Sequence, residues 1–194
     1  PEPVIRVKRV MYRDNPIILG APPSKPPNEN SFCSSTLRAA MIWNEVEKAG
    51  IPDIAGVYSH EAGAHRLFIV IAIRQRYSGH ARQAALALSQ VHSAAYMGRF
   101  IVVVDDDIDI TSLDDVVWAM CTRCDPEYGI DILRRCWSGP LDPIIPEERK
   151  GFSSRAIIDA CKPYERLKTF PKVVQVSDNM RDAVLKKWLD KIKG

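Results

Sequence analysis

The chain has 194 residues, 46% of them hydrophobic and 26% charged, which is typical of a globular protein with one well-buried domain. Its formal net charge is only +3 at pH 7 and its Lys and Arg residues are dispersed, so we expect no nucleic acid among its partners. No apolar run approaches the ~20 residues that cross a bilayer and no signal-peptide pattern is visible, so we expect no membrane partner.

The chain is predicted to start with a pair of strands. Val4 to Met11 and Pro16 to Leu19 flank a turn at Arg13 to Asn15. A proline-rich loop, Ala21 to Asn28, follows, and it should be stiff and extended because proline fixes φ and removes a backbone donor. Since the chain opens on Pro1 to Pro3 without Met, we interpret it as a domain cut from a longer protein at a linker.

The middle of the chain alternates predicted helices and strands. The first element is a helix from about Ser34 or Ser35 to Lys48 with Leu37, Met41 and Val46 inside, and it is followed by strands over Ile54–Tyr58 and Leu67–Ile73. Next come a helix over His80–Met97 capped by Ser78 and a strand over Ile101–Val104. A helix capped by Thr111 or Ser112, with Asp114 and Asp115 in its first turn, precedes a last clear strand over Ile130–Cys136. Four consecutive β-branched residues in the third of these strands indicate a strand covered on both faces. This alternation predicts an α/β fold, a mixed sheet flanked by helices.

A C-terminal amphipathic helix is predicted over about Asp178 to Ile192. Its apolar residues form one stripe opposite a lysine face: Met180, Val184, Leu185, Trp188 and Ile192. Such a helix docks either on its own domain or on a partner subunit. We therefore divide the chain into an α/β domain, residues 1–170, and a linker with a docking or oligomerisation helix, residues 171–194.

Four aspartates, Asp105, Asp106, Asp107 and Asp109, follow the buried strand at the end where open α/β sheets place ligands. They could hold a divalent cation, since Mg²⁺ sites often use one or two carboxylates, or form a phosphoacceptor pocket. We favour a third interpretation, a polar strand end with its carboxylates in solvent. The side chains alternate in direction, and we find no Thr or Lys partner pattern later in the chain.

Two short motifs lack the spacing that their chemistry needs. His60 and His65 are five residues apart, whereas the HExxH zinc motif needs a separation of four. Cys121 and Cys124 have CxxC spacing but lie at the end of a helix, and no second pair completes a zinc site. We therefore predict no metal site. The odd number of cysteines, five, fits a reducing compartment, so we expect a cytoplasmic protein.

Several segments together resemble the UbiD family of decarboxylases, which use a prenylated flavin. The resemblance rests on Val7–Asn15, Gly79–Ala84, Phe100–Val104, Asp105–Asp109, Asp115–Trp118, Thr122–Pro126 and Ser153–Ala160, which follow the family's order. They cover most of the chain and correspond to the C-terminal part of a UbiD-type enzyme. The chain is therefore expected to begin just after the family's flavin-binding domain.

The resemblance implies a carboxy-lyase that acts on aromatic or α,β-unsaturated acids, with prenylated FMN as the electron sink. It implies that the flavin, with a divalent metal and potassium, is bound mainly by an upstream domain that is not in this chain. The family's catalytic glutamates and arginine also lie upstream, so we assign no catalytic residue and expect the isolated chain to be inactive. The family further implies that this domain closes over the flavin domain and forms much of a homo-oligomer interface.

The resemblance also places four residues at the site. Arg155 stands where the family commonly has a lysine that helps hold the flavin phosphate, and an arginine can bind such an anion bidentately. The alternative for Arg155 is a solvated side chain beside a strand. Pro23, Ser34 and Cys161 fall near positions that line the family's substrate cavity. Ser34 and Cys161 make that cavity smaller and more polar, which favours a hydroxylated or heteroaromatic acid.

Two functions of other classes stay open beside this one. The first is a non-catalytic α/β binding or scaffold module with the same fold. The second is a Mg²⁺-dependent phosphotransfer domain built on Asp105 to Asp109.

Overall fold

The structure of the protein, a computed structural model, describes residues 3–18, 20 and 24–192, with the side chains of residues 190–192 not described. The helices are α1 Glu29–Lys48, α2 His80–Gln90, α3 His92–Ala95, α4 Leu113–Arg123, α5 Pro126–Gly129 and α6 Asp178–Ile192. The strands are β1 Ile54–Ser59, β2 Phe68–Ile73, β3 Phe100–Asp105, β4 Ile130–Trp137 and β5 Phe152–Ala160.

The five strands form one mixed sheet in the order β1-β2-β3-β5-β4. The central strands β2, β3 and β5 run parallel, with Val70 opposite Val102 and Val102 opposite Ile158. The edge strands β1 and β4 are antiparallel to their neighbours. Because the central strands are covered on both faces, their β-branched residues are buried throughout.

Two helical layers cover the sheet and confirm the predicted α/β fold. On one face, Ile42 and Val46 of α1 pack with Leu88 of α2 against the strands. On the other face, Val116 and Ala119 of α4 pack against the opposite side of β2 and β3. The carboxyl ends of β2, β3 and β5 therefore meet at one edge of the sheet, between the two helical layers.

The predicted pair of N-terminal strands is wrong for the residues that the structure describes. Residues 3–18 carry no strand, and their apolar side chains lie in solvent, with Val4 94% and Ile17 100% exposed. A strand is stable only when a neighbouring strand pairs with its backbone groups, and the alternation of apolar residues does not supply that neighbour. Leu19 and residues 21–23 of the proline-rich loop lie outside the described residues.

The first helix begins earlier than predicted, and of the three residues predicted to be internal only Val46 is buried. It starts at Glu29 because the side chain of Asn28 accepts a hydrogen bond from the backbone N–H of Ser31. The buried residues are Ser31, Ser35, Ala39, Ile42 and Val46. Leu37 and Met41, predicted to be internal, are 68% and 55% exposed. Small side chains face the core because this helix lies close to β1 and α3.

Two further boundaries differ from the predictions. The N-cap of α2 is Gly79, whose φ of +84° suits glycine, whereas the Ser78 hydroxyl donates to Glu165. The long helix predicted to reach Met97 stops at Gln90, because Val91 is extended between α2 and α3.

The largest omission is β5, a central strand that lies after the predicted last strand. The expected alternation of buried apolar and exposed polar residues is interrupted in β5 by Ser153 and Arg155, two polar residues that are buried.

Candidate functional site

The carboxyl edge of the three parallel strands carries two adjoining cavities, at the position where open α/β sheets bind ligands. The smaller has a volume of about 240 Å³ and lies between the loop after β2, helix α5 and the segment after β5. The larger, about 610 Å³, lies between α4 and residues 167–175. Both are lined by Arg123 and Lys162, so one group of charged residues separates them.

Asp105, the last residue of β3, is buried and fully hydrogen-bonded. Its Oδ2 accepts from Arg123 Nη1 at 2.9 Å and from the backbone N–H of Lys162 at 2.7 Å. Its Oδ1 accepts from Gln75 Nε2 at 2.7 Å. A buried carboxylate needs such partners, because an unpaired charge in the interior is costly.

Asp107 is bound by the same two residues, here through both of their cationic side chains. Arg123 donates to both of its oxygens at 2.8 and 3.0 Å, and Lys162 Nζ donates at 2.6 Å. Although burial raises the pKa of Asp107, the hydrogen bonds from Arg123 and Lys162 outweigh it and bring the pKa down to about 2. Asp107 is therefore ionised at neutral pH and held in a bidentate ion pair.

This geometry corrects the prediction for the aspartates. Asp105 is buried, and Asp107, whose side chain is 40% exposed, is paired with Arg123 and with a lysine that does follow in the chain, Lys162. Only the outer carboxylates fit the prediction, with Asp109 accepting from the backbone of Thr111 and Asp106 in an exposed pair with Arg74. In the described part of the chain, no group of three or more His, Cys, Asp or Glu could hold a metal ion. Cationic side chains occupy the oxygens that the Mg²⁺ hypothesis requires.

Cys161 and Asp159 form part of the wall of the smaller cavity. Cys161 is buried, and this burial raises the pKa of its thiol well above the usual value. Burial also raises the pKa of Asp159, whose Oδ1 accepts the backbone N–H of Cys161 at 3.0 Å. Gly129 completes the wall, and an added Cβ there would lie 2.7 Å from Cys124 Sγ. A neutral thiol and a carboxyl group therefore give this cavity a polar side.

Arg155 lies in the interior, with its side chain on β5 and 1% of the residue exposed. Its Nη2 donates to the backbone carbonyl of Ala95 at 2.8 Å and to that of Trp137. Burial lowers the pKa of the guanidinium. Its Nε and Nη1 are buried with no hydrogen-bond partner among the described residues. The alternative of a solvated arginine is therefore wrong, and two donors are left for a further acceptor.

The other residues assigned by resemblance lie apart from one another. Ser34 is half-buried in the first turns of α1, and its hydroxyl donates to Asn30 Oδ1 at 3.3 Å. Pro23 lies outside the described residues. Cys161 lines the smaller cavity, whereas Ser34 and Arg155 line neither of the two cavities. The described chain thus supplies separate pieces of a site rather than one assembled site.

The residues that organise the carboxyl edge were missed by the sequence prediction as a group. Gln75, Arg123 and Lys162 are separated from their partner Asp105 by 30, 18 and 57 residues. One signal was available: Asp105 and Asp107 are two residues apart after a strand, so both need cations on one side. The sequence offered no way to choose which cations these are.

His60 and Cys124, from the two short motifs, have packing contacts within the fold. His60 packs edge-on against Tyr58 and Phe68. Burial raises the pKa of Cys124, which packs beside the core under α4. All five cysteines are free thiols.

Residues 31–160 match the family described as the 3-octaprenyl-4-hydroxybenzoate carboxy-lyase C-terminal domain, UbiD_C. A protein of unassigned function from Aeropyrum pernix is 29% identical over 160 residues, which cover 82% of this chain and 32% of that protein. No helix in the described ranges is both long and apolar enough to cross a membrane.

Solved structures give the same result. The UbiD-class enzyme HmfF from Pelotomaculum thermopropionicum, in complex with FMN, is 27% identical with a TM-score of 0.68, covering 78% of this chain and 33% of its own. The 3,4-dihydroxybenzoic acid decarboxylase AroY from Klebsiella pneumoniae is 26% identical with a TM-score of 0.70, covering 81% and 34%. An evolved dimeric form of HmfF, with a TM-score of 0.54, is in complex with prFMN. The chain thus spans about a third of the length of these relatives.

Proposed function

Residues 31–160 match the C-terminal domain of the UbiD family, so this chain belongs to that family, and we propose that it is the C-terminal part of a decarboxylase of aromatic or α,β-unsaturated acids. The observation that carries the proposal is the family match together with the structural similarity to HmfF and AroY, both above 25% identity. Since the chain spans about a third of the length of these relatives, the reaction is assigned to the whole protein. The proposed location of that protein is the cytoplasm. The isolated chain is expected to be inactive.

The chain's contribution to cofactor binding is assigned to Arg155. A buried guanidinium with two unpartnered donors, Nε and Nη1, suits a dianionic phosphate such as that of prenylated FMN. When bound, the flavin supplies the electron sink for release of carbon dioxide. The metal and potassium are assigned to the upstream domain, as the resemblance to the family implies.

The proposed substrate is a small hydroxylated or heteroaromatic acid. The thiol of Cys161 and the carboxyl of Asp159 make one wall of the smaller cavity polar, and its volume is about 240 Å³. A ring hydroxyl or ring heteroatom finds hydrogen-bonding groups there, whereas a long polyprenyl chain does not. Ser34 and Pro23 are assigned to the remainder of the substrate cavity, which the upstream domain completes.

The C-terminal helix is assigned to a homo-oligomer interface. Met180, Val184 and Leu185 of α6, three members of the predicted apolar stripe, are between 42% and 61% exposed. An exposed apolar stripe of this kind is typical of a surface that contacts another subunit. The upstream flavin domain and a second copy of the protein are therefore the proposed partners.

The test is expression of the intact gene with a flavin prenyltransferase, followed by a screen of aromatic acids for release of carbon dioxide. We expect flavin-dependent decarboxylation by the intact protein and none by the 194-residue chain. In the intact protein, Arg155→Met should lower flavin content, Arg155→Lys should restore most of it, and Arg134→Met on β4 should leave it unchanged.

Two results contradict the proposal. An intact protein that folds and binds acids but releases no carbon dioxide with any flavin supports the scaffold alternative. Decarboxylation by the chain alone shows that its own residues are catalytic.

A further inference from the structure

The segment that follows β5, Cys161–Arg166, is held by Lys162, and we call this segment the β5 turn. All three polar groups of Lys162 are bonded to side chains from other elements. Its backbone N–H donates to Asp105 Oδ2 at 2.7 Å and its Nζ donates to Asp107 Oδ2 at 2.6 Å. Its carbonyl accepts from Gln75 Nε2 at 2.8 Å. One residue is therefore fixed from the ends of both β2 and β3.

The groups that hold Lys162 are themselves immobilised. The side chains of Arg123 and Asp105 are 1% and 8% exposed and are joined at 2.9 Å. Arg123 also binds both oxygens of Asp107, and Gln75 binds Asp105 as well as Lys162. This closed network has a buried pair, Arg123 and Asp105, at its centre and constrains its members, because each loses a partner if another moves.

The rest of the β5 turn is tied to the loop after β2. The Tyr164 hydroxyl donates to the carbonyl of Arg76 at 2.6 Å, and the Ser78 hydroxyl donates to Glu165 at 2.7 Å. Cys161, Tyr164 and Glu165 all line the smaller cavity. These two outer contacts are between exposed groups, whereas the backbone N–H and carbonyl of Lys162 form part-buried hydrogen bonds, so we expect the contacts of Lys162 to carry more of the constraint.

We infer that Lys162 is a positioning residue, which holds the β5 turn so that Cys161 and Tyr164 form a fixed wall of the smaller cavity. On this inference the acidic residues after β3 serve the shape of that wall. The consequence for substrate choice rests on the proposed function: where the cavity takes the substrate ring, the contacts of Lys162 set its width and hence the ring substituents that fit.

The direct test measures how often the β5 turn opens, through the reaction of the buried Cys161 thiol with a maleimide. Labelling at each cysteine is followed by peptide mass spectrometry, with exposed Cys33 as the internal reference. Lys162→Met removes the bond to Asp107 and keeps the aliphatic stem, and Gln75→Met removes the bonds to the Lys162 carbonyl and to Asp105. Lys162→Met should speed labelling of Cys161 about threefold, because the bond to Asp107 is partly exposed, and Gln75→Met about tenfold, because two part-buried bonds are lost.

Matched variants separate positioning from general destabilisation. Arg74→Met breaks the neighbouring exposed pair with Asp106 and does not touch the β5 turn, so labelling of Cys161 should be unchanged. Lys162→Arg keeps the cation and should restore slow labelling. If Lys162→Met does not fold by circular dichroism, Gln75→Met and Asp107→Asn test the same turn. Labelling of Cys161 at the parent rate in folded variants overturns the inference.

The consequence for substrates is measured separately in the intact protein. Lys162→Met should raise KM for small-ring acids more than it lowers kcat, and Lys162→Arg should reverse this. If the intact protein decarboxylates nothing, the proposed function fails while the labelling result still decides the role of Lys162. If it is active and both KM and the choice among acids are unchanged in Lys162→Met, the substrate part of the inference fails.

Discussion

At the scale of single residues, Arg123 shows how a buried charge sets the chemistry of its surroundings. Its guanidinium binds Asp105 and Asp107 and stacks over the Trp118 ring. An arginine suits this role because its planar fork satisfies two carboxylates at once. Removing one partner from such a buried set leaves the others uncompensated, so the cluster acts as a unit.

The first prediction concerns the acid stability of this cluster. The pKa of Asp107 is about 2 in the folded chain, below its value of about 4 in an unfolded chain. Ionised Asp107 therefore stabilises the fold above about pH 4, and this contribution disappears as the pH falls towards about 2. Urea unfolding over this range should show the parent more stable than Asp107→Asn near neutrality, with the difference shrinking in acid.

Asp159→Asn supplies a control in which the stability difference from the parent changes with pH in the opposite direction. Because burial raises the pKa of Asp159, ionisation of this carboxyl costs stability as the pH rises through that pKa. The Asn variant should therefore gain stability relative to the parent as the pH rises. A difference for Asp107→Asn that stays constant with pH contradicts the ion pair described above.

At the scale of elements, α4 is the helix that the sequence specified best. Ser112 is its N-cap, and the Ser112 hydroxyl accepts from the backbone N–H of Asp115 at 3.2 Å. Asp114 and Asp115 lie in the first turn, where the helix dipole favours negative charge. These signals are local, so they were readable without knowledge of the fold.

The second prediction is the energy of that cap. Ser112→Ala should lower the free energy of unfolding by about 1 kcal/mol, because the N–H of Asp115 loses its acceptor. Ser112→Asp keeps an acceptor and should stay close to the parent. Chemical denaturation monitored by tryptophan fluorescence, to which Trp118 in the same helix contributes, measures both. Equal stability of the Ala and Asp variants contradicts the cap.

Other elements show where local signals fail. Strand β5 escaped prediction because its polar residues are buried through distant partners, such as the carbonyl of Ala95 for Arg155, 60 residues away. The face of α1 was wrong because close packing on β1 selected Ser and Ala where apolar size predicted Leu37 and Met41. In both cases the deciding contact is absent from the local sequence.

At the scale of the whole molecule, the apolar residues of residues 3–18 and of α6 lie in solvent in the described structure. Isolated exposed apolar side chains are ordinary, but continuous sets of them mark surfaces that contact other domains or subunits. Both segments lie outside residues 31–160, the part that matches the family domain. They are the surfaces through which we expect this domain to join the rest of its assembly.

The third prediction tests α6 as an oligomer interface. Leu185→Asp places a charge in the apolar stripe and should lower the mass of the oligomer in light scattering, since an unpaired charge at an interface is costly. Lys186→Gln changes the neighbouring lysine face and should leave the mass unchanged. The fold should survive because α6 makes few contacts with the rest of the described chain. An oligomeric parent whose mass is unchanged by Leu185→Asp contradicts this role.

The sequence by itself determined the class of fold, a helix cap at Thr111 or Ser112, which the structure places at Ser112, and the resemblance to a family. These follow from local periodicity, hydrogen-bonding side chains and residue order, which a linear chain displays directly. It placed Cys161 and Arg155 near the site only by resemblance, and it predicted strands over Val4–Met11 and Pro16–Leu19, whereas the described residues 3–18 carry no strand.

Only the tertiary structure decided what the aspartates after β3 do. Read alone, Asp105 and Asp107 suggested a ligand site or solvated carboxylates, and both interpretations gave way to pairing with Arg123 and Lys162. The physical reason is that a carboxylate's role depends on which charges face it. Those charges come from α4 and from the segment after β5, which adjoin β3 only when the sheet is assembled.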